Sequence, residues 1–216
     1  MDFPVTVPSA LAQALETKGY AALTDVQTAV LADDASGADL LVSARTGSGK
    51  TVAFGLAMGA DLLAGEAALG GAAAPLALVI APTRELALQV ERELSWLYAK
   101  AGGRLASCVG GMDARTERRA LQRGAHIVVG TPGRLRDHIE RGALDLSAVR
   151  AVVLDEADEM LDFGFKDDLE FMLFAQVFHG LRLGLRKGLG PAVDRAGGLA
   201  GRTKVVEAPF VAVVAI

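Results

Sequence analysis

The chain has 216 residues, 51% hydrophobic and 22% charged, which suits one globular domain with a full core, and it has no stretch long and apolar enough to span a membrane. A net charge of −4 argues against broad electrostatic capture of nucleic acid, although it leaves room for a local basic groove. The single cysteine, Cys108, excludes an internal disulfide, and without a basic-then-apolar leader the expected home is the reducing cytoplasm. Cys108 reads as a small buried filler, and the scattered His126, His138 and His179 have no ligand spacing, so no zinc site is expected.

In chain order, Ser9–Lys18 and Asp25–Leu31 read as two short helices joined through Gly19-Tyr20. Short apolar runs then alternate with amphipathic segments, which predicts an α/β fold with a mostly parallel sheet flanked by helices. The predicted strands are Leu40–Ser43, Leu76–Ala81, Leu105–Val109, Ile127–Val129 and Ala151–Leu154. Between them lie helical patterns over Thr51–Leu63, Arg84–Lys100, Asp113–Gln122 and Pro132–Arg141, the last opened by Thr131 as N-cap with Pro132 in the first turn. A further helix runs from Glu159 to about Phe174.

After residue 174 the texture changes. Residues 1–174 carry 16 Lys+Arg against 24 Asp+Glu, whereas residues 175–216 carry 6 against 2. Glycines at 180, 184, 188, 190, 197, 198 and 201 break every helical period, and only Val211–Ile216 regains a strand-like run.

Two motifs carry chemistry. Ala44-Arg45-Thr46-Gly47-Ser48-Gly49-Lys50-Thr51 lies between a predicted strand and a predicted helix, the setting of a phosphate loop. Glycines let backbone N–H groups turn toward phosphate oxygens, Lys50 supplies charge at the β/γ phosphates, and the Thr51 hydroxyl suits a Mg²⁺ shell. Ala44 stands where the usual signature begins with Gly. Asp155-Glu156-Ala157-Asp158 ends a buried-strand pattern: Asp155 can hold the metal through water, and Glu156 can orient or deprotonate the attacking water. Together these predict a Mg²⁺- and nucleotide-dependent enzyme with Lys50, Asp155 and Glu156 as catalytic residues.

In order along the chain, Ala44–Thr51, Pro82-Thr83-Arg84-Glu85-Leu86-Ala87, Gly110-Gly111, Thr131-Pro132-Gly133-Arg134 and Asp155–Asp158 resemble the first half of DEAD-box ATP-dependent RNA helicases. Phe3, Gly19-Tyr20, Thr24 and Gln27 resemble that family's Q motif, with Leu23 where the family usually has proline. The resemblance covers residues 1–174 and implies a RecA-like P-loop domain. It implies that Gln27 pairs with adenine, that Phe3 covers the base, and that Asp158 couples the motifs. It also implies that Pro82, Thr83, Arg84, Gly110, Gly111, Thr131, Gly133 and Arg134 grip the sugar-phosphate backbone of RNA without reading sequence. Arg84 opens a helix, where the dipole disfavours a cation, which fits an anionic partner. The cluster Arg115, Arg118, Arg119 and Arg123 reads instead as a solvated helix face.

Such helicases bind ATP and RNA between two RecA-like domains, and a second one is not expected here. Nor does the family's Ser-Ala-Thr motif follow residue 174, although its strand is expected between the phosphate-loop strand and the Asp155 strand. The sheet is therefore expected to be incomplete on its C-terminal side, unless Val211–Ile216 or Lys204–Val206 fills the gap. Residues from about 175 read as an out-of-frame or otherwise aberrant tail, or as a genuine basic segment with its own partner. Two functions are open: an ATP-dependent RNA helicase reduced to its first ATP- and RNA-binding domain, and a non-catalytic nucleotide- and RNA-binding fragment. A P-loop enzyme acting on DNA or protein is disfavoured by Gln27 together with Asp158.

Overall fold

Along Ala77–Ile80 successive side chains leave the backbone on opposite sides, and all four are buried. That is the mark of a strand covered on both faces. A computed structural model of the protein describes residues 3–35, 38–45, 47–175 and 211–215. Its strands are β1 (Leu40–Val42), β2 (Ala77–Ile80), β3 (Leu105–Cys108), β4 (Ile127–Gly130), β5 (Ala151–Leu154) and β6 (Val211–Ala215). The helices are α1 (Ser9–Lys18), α2 (Asp25–Ala29), α3 (Lys50–Ala57), α4 (Gly59–Leu63), α5 (Arg84–Leu97), α6 (Ala114–Gln122), α7 (Pro132–Glu140), α8 (Ala157–Asp162) and α9 (Lys166–Ala175).

Among the described residues all pairings are parallel, in the order β1-β6-β5-β2-β4-β3. One face, through Ala77 and Val79 of β2, packs on Leu11 and Leu15 of α1, Phe54 of α3 and Leu94 and Leu97 of α5. The other, through Leu78 and Ile80, packs on Leu135 and Ile139 of α7, Met160 of α8 and Met172 of α9.

The sheet is not left open. β6 pairs with β1 on one side (Val213 opposite Leu40) and with β5 on the other (Val213 opposite Val153). The expected gap is thus filled by Val211–Ala215, whose Val-rich run suits a strand paired along both edges. The alternative segment, Lys204–Val206, and the rest of 176–210 lie outside the described residues.

Two predicted helices are each divided. The run Thr51–Leu63 breaks at Met58, and Gly59 is held so close to α1 that a Cβ there would sit 2.5 Å from Leu11 Cδ1. The run after Glu159 breaks at Gly164, which adopts φ +82°. Because every strand runs the same way, the segments that follow β1 to β5 all leave from one edge of the sheet.

Candidate nucleotide and nucleic-acid site

The phosphate loop leaves β1 and ends at α3, with Lys50 and Thr51 as the first two helical residues. Gly49 is the N-cap at φ +90° ψ +26°, in the left-handed region that favours glycine. Ala44, Gly47 and Ser48 lie in the loop, while Thr46 falls outside the described residues. Ser48 Oγ is buried and has no hydrogen-bond partner among the described residues. An orphaned hydroxyl in a loop of inward-turning backbone fits a phosphate oxygen.

Gln27 closes the loop from behind. It is fully buried; its Oε1 accepts from the Thr24 backbone N–H at 3.0 Å and its Nε2 donates to the Gly49 carbonyl at 3.3 Å. The Thr24 hydroxyl donates to the Ser48 carbonyl at 3.0 Å. The first bond is the reach-back of a capping box, which explains the Thr-x-x-Gln spacing in local terms. Phe3 rests half-buried against the apolar core, so its contacts are those of an anchor.

Asp155 directly follows β5 and is 3% exposed, its backbone N–H donating to the Ile80 carbonyl at 2.9 Å. Burial, reinforced by the neighbouring Glu156 carboxylate, pushes its carboxyl up to about 6 against the pull of Lys50. Glu156 is also raised, by burial and by Glu159, and is likewise pulled down by Lys50. Lys50 thus acts on both acids, and the two motifs converge. Glu156 caps α8 at φ +54° ψ +53°, a left-handed conformation that a non-glycine residue adopts at some cost. A buried acid held protonated-prone by desolvation is a site suited to a cation, so the donor set fits a magnesium-nucleotide. Asp158 is exposed in the first turn of α8.

The loops after β2, β3 and β4 build the adjoining part of the same edge. Pro82 is buried, and the Thr83 hydroxyl caps α5 by accepting from Leu86 N–H at 3.2 Å. Arg84 is exposed, and its guanidinium lies against Gly111, where an added Cβ would meet Nη1 at 2.8 Å. Gly111 also needs its φ of +79°. Gly110 is exposed, and a Cβ added there would meet nothing within 4 Å. Thr131 is the N-cap of α7 as predicted, yet its side chain makes no capping bond; Gly133 is exposed in the first turn.

Arg134 differs from expectation. Its Nε donates to Glu117 Oε2 and its Nη2 to the Met112 carbonyl, both at 2.7 Å, so the guanidinium is turned inward. Glu117, not singled out from the sequence, is 2% exposed. Its signal was its place four residues before Leu121, on the one buried stripe of an otherwise charged helix. The expected solvated face holds: Arg115, Arg118, Arg119 and Arg123 are exposed. Cys108 is buried and its thiol is pushed up to about 12, first by burial and then by Glu117.

The DEAD/DEAH box helicase family profile matches residues 24–177. The chain belongs to the DEAD/DEAH box helicase family. It is 44% identical over 171 residues to the chloroplastic DEAD-box ATP-dependent RNA helicase 3A of Zea mays, covering 77% of this chain and 22% of that protein. It is 42% identical over 161 residues to the DEAD-box ATP-dependent RNA helicase CshA of Geobacillus kaustophilus, covering 74% of this chain and 33% of that protein. The crystal structure of a hypothetical ATP-dependent RNA helicase from Sulfolobus tokodaii matches with a TM-score of 0.68 at 28% identity, over 95% of this chain and 50% of that one. The chain therefore spans a third or less of these curated relatives' length. Helicases of the DEAD/DEAH box family use ATP, and among the described residues of this member no helix is long and apolar enough to cross a membrane.

Proposed function

We propose that this chain is the ATP- and RNA-binding part of a DEAD-box RNA helicase. The observation that carries this reading is the partition of one sheet edge. The nucleotide elements follow β1 and β5, which flank β6, whereas Thr83-Arg84, Gly110-Gly111 and Thr131 follow the neighbouring strands β2, β3 and β4. A nucleotide and a nucleic-acid backbone can then sit side by side on one rigid sheet.

In this reading the loop backbone, Ser48, Lys50 and Thr51 would hold the phosphates, and Asp155 and Thr51 would hold Mg²⁺. When bound, that ion would supply neutralisation of charge on the phosphates. Glu156 orients the attacking water from its constrained cap position. Gln27 spends one N–H and one lone pair on the Gly49 carbonyl and the Thr24 N–H, and an amide has one more of each for the adenine edge. The role of Phe3 over the base rests on the family resemblance alone.

Arg84, the Gly110-Gly111 backbone, Thr131 and the start of α7 at Gly133 meet phosphates, which carry no sequence information. Pro82 supports that face, and Asp158 couples it to the nucleotide. Arg134 supports it through Met112 and Glu117.

The test is binding and turnover by the chain with ATP, GTP and a single-stranded RNA. The expected outcome is ATP-selective binding lost in Lys50→Ala and any turnover stimulated by RNA rather than DNA. Binding of ATP and RNA without turnover identifies the non-catalytic alternative, and equal stimulation by DNA would refute the RNA assignment.

A further inference from the structure

Glu117 is a fully engaged buried carboxylate between the two loops assigned to nucleic acid. Its Oε1 accepts from Val109 N–H at 2.9 Å, immediately before the Gly110-Gly111 turn. Its Oε2 faces Arg134 Nε and His138 Nε2, each at 2.7 Å, and both belong to α7. Arg134 then reaches over to the Met112 carbonyl, on the far side of the same turn, at 2.7 Å. His138 is 1% exposed, and its Nδ1 is buried with no partner among the described residues. A protonated Nδ1 would be a stranded donor, so the ring carries its hydrogen on Nε2 and donates it to the carboxylate.

Cys108, Glu117 and His138 bring potential metal ligands within 4.8 Å of one another. Arg134 already occupies the carboxylate oxygen that a metal would need, and a guanidinium cannot share it with a cation at low cost. The cluster is a filled hydrogen-bond hub whose every bond ends on the Gly110-Gly111 turn or on α7.

We infer that Glu117 is a positioning residue for the nucleic-acid face, one carboxylate that fixes the Gly110-Gly111 turn to the N-terminal end of α7 and thereby sets the spacing of two phosphate contacts. The inference rests on the nucleic-acid reading above, and it assigns Arg134 to this lock instead of to RNA. Glutamine cannot replace the carboxylate. If its oxygen keeps Val109, its NH₂ group faces the donors of Arg134 and His138.

The test uses the whole chain and the variants Glu117→Gln, Arg134→Gln and the double variant. Three readouts are amide exchange over Val109–Met112, affinity for a labelled single-stranded oligouridine at several salt concentrations, and affinity for a fluorescent ADP. Losing a charge-assisted bond is expected to speed exchange at the turn by about tenfold and to weaken RNA binding by about as much in Glu117→Gln. ADP affinity stays unchanged, and the double variant is no weaker than Glu117→Gln alone. Unchanged exchange and RNA affinity in Glu117→Gln would overturn the inference. So would additive losses in the double variant, which make Arg134 a direct RNA contact, or a parallel loss of ADP affinity, which means general unfolding. A wild-type chain that ignores RNA while Glu117→Gln still frees the turn refutes the nucleic-acid reading and leaves the lock standing.

Discussion

Gln27 and Gly49 are fitted to one another: the glutamine Nε2 donates to the glycine carbonyl at 3.3 Å, and a Cβ on Gly49 would lie 2.5 Å from that same nitrogen. The side chain proposed above to read the base is therefore also the floor of the phosphate loop. Gly49→Ala meets two obstacles, the φ of +90° and the collision with a fully buried amide. The expected result is a loss of about 1–3 kcal/mol in stability together with loss of nucleotide binding. Thermal unfolding with and without ATP checks it: the variant melts lower, and ATP no longer raises its midpoint. A variant that keeps both properties would show that the loop has room that this contact denies.

Asp155 gives a pH prediction with a definite sign. Its carboxyl titrates near 6 in the folded chain, above its ordinary value of 3.8. Between those values the folded state holds more proton than the unfolded state, so this residue's contribution to stability is complete below about pH 4 and declines as pH rises through 6. Asp155→Asn removes the burden of a buried charge and should stabilise the ligand-free chain at pH 7.5 by about 2–3 kcal/mol, while abolishing turnover. Other acids shift oppositely: Asp113 is lowered by backbone and Thr116 hydrogen bonds, and Asp137 by Arg141. The measurement is therefore the wild-type-minus-variant difference in unfolding free energy from pH 4 to 8. A difference flat with pH would refute the assignment.

A third prediction concerns the packing that holds the phosphate-loop helix α3 against the end of α5. Tyr98 is fully buried, and its hydroxyl donates to the Gly55 carbonyl of α3 at 2.7 Å. Burial raises that hydroxyl far beyond its ordinary range, so it stays protonated and donating at any working pH. Gly55 leaves no space for a side chain, since a Cβ would stand 2.7 Å from Leu97 Cδ2. Tyr98→Phe keeps the ring and deletes the donor, with an expected cost of about 1–2 kcal/mol in chemical denaturation and little change in denaturant dependence.

The strands were legible in the sequence to within a residue or two, because each is a short, mostly apolar run, and β2, β4 and β5 are buried on both faces. The phosphate loop and Asp155-Glu156 were legible because their chemistry depends on neighbours in sequence. What escaped depends on partners far along the chain. The division of Thr51–Leu63 falls beside Gly59, where only a residue without a Cβ leaves room for Leu11, and the burial of Glu117 depends on Val109, Arg134 and His138. The inward turn of Arg134 was hidden for the same reason. No local pattern tells a phosphate-gripping arginine from one that holds a neighbouring loop.

The C-terminal strand offers the sharpest test of the fold. β6 pairs with β1 over Val213–Ala215 and with β5 over Val211–Val214, and these two strands deliver the phosphate loop and Asp155. If Val211–Ala215 holds that slot, Val213→Pro removes one N–H from a strand with neighbours on both sides and leaves an acceptor unpaired. The orphaned acceptor alone costs about 1–3 kcal/mol. Because β6 separates the two nucleotide elements, ATP affinity should fall with stability, whereas a change confined to an unpaired tail would alter neither. Amide exchange at Leu40–Val42 and Ala151–Leu154 distinguishes these outcomes: protection lost from both strands on removing one N–H from Val213 shows that β6 joins them.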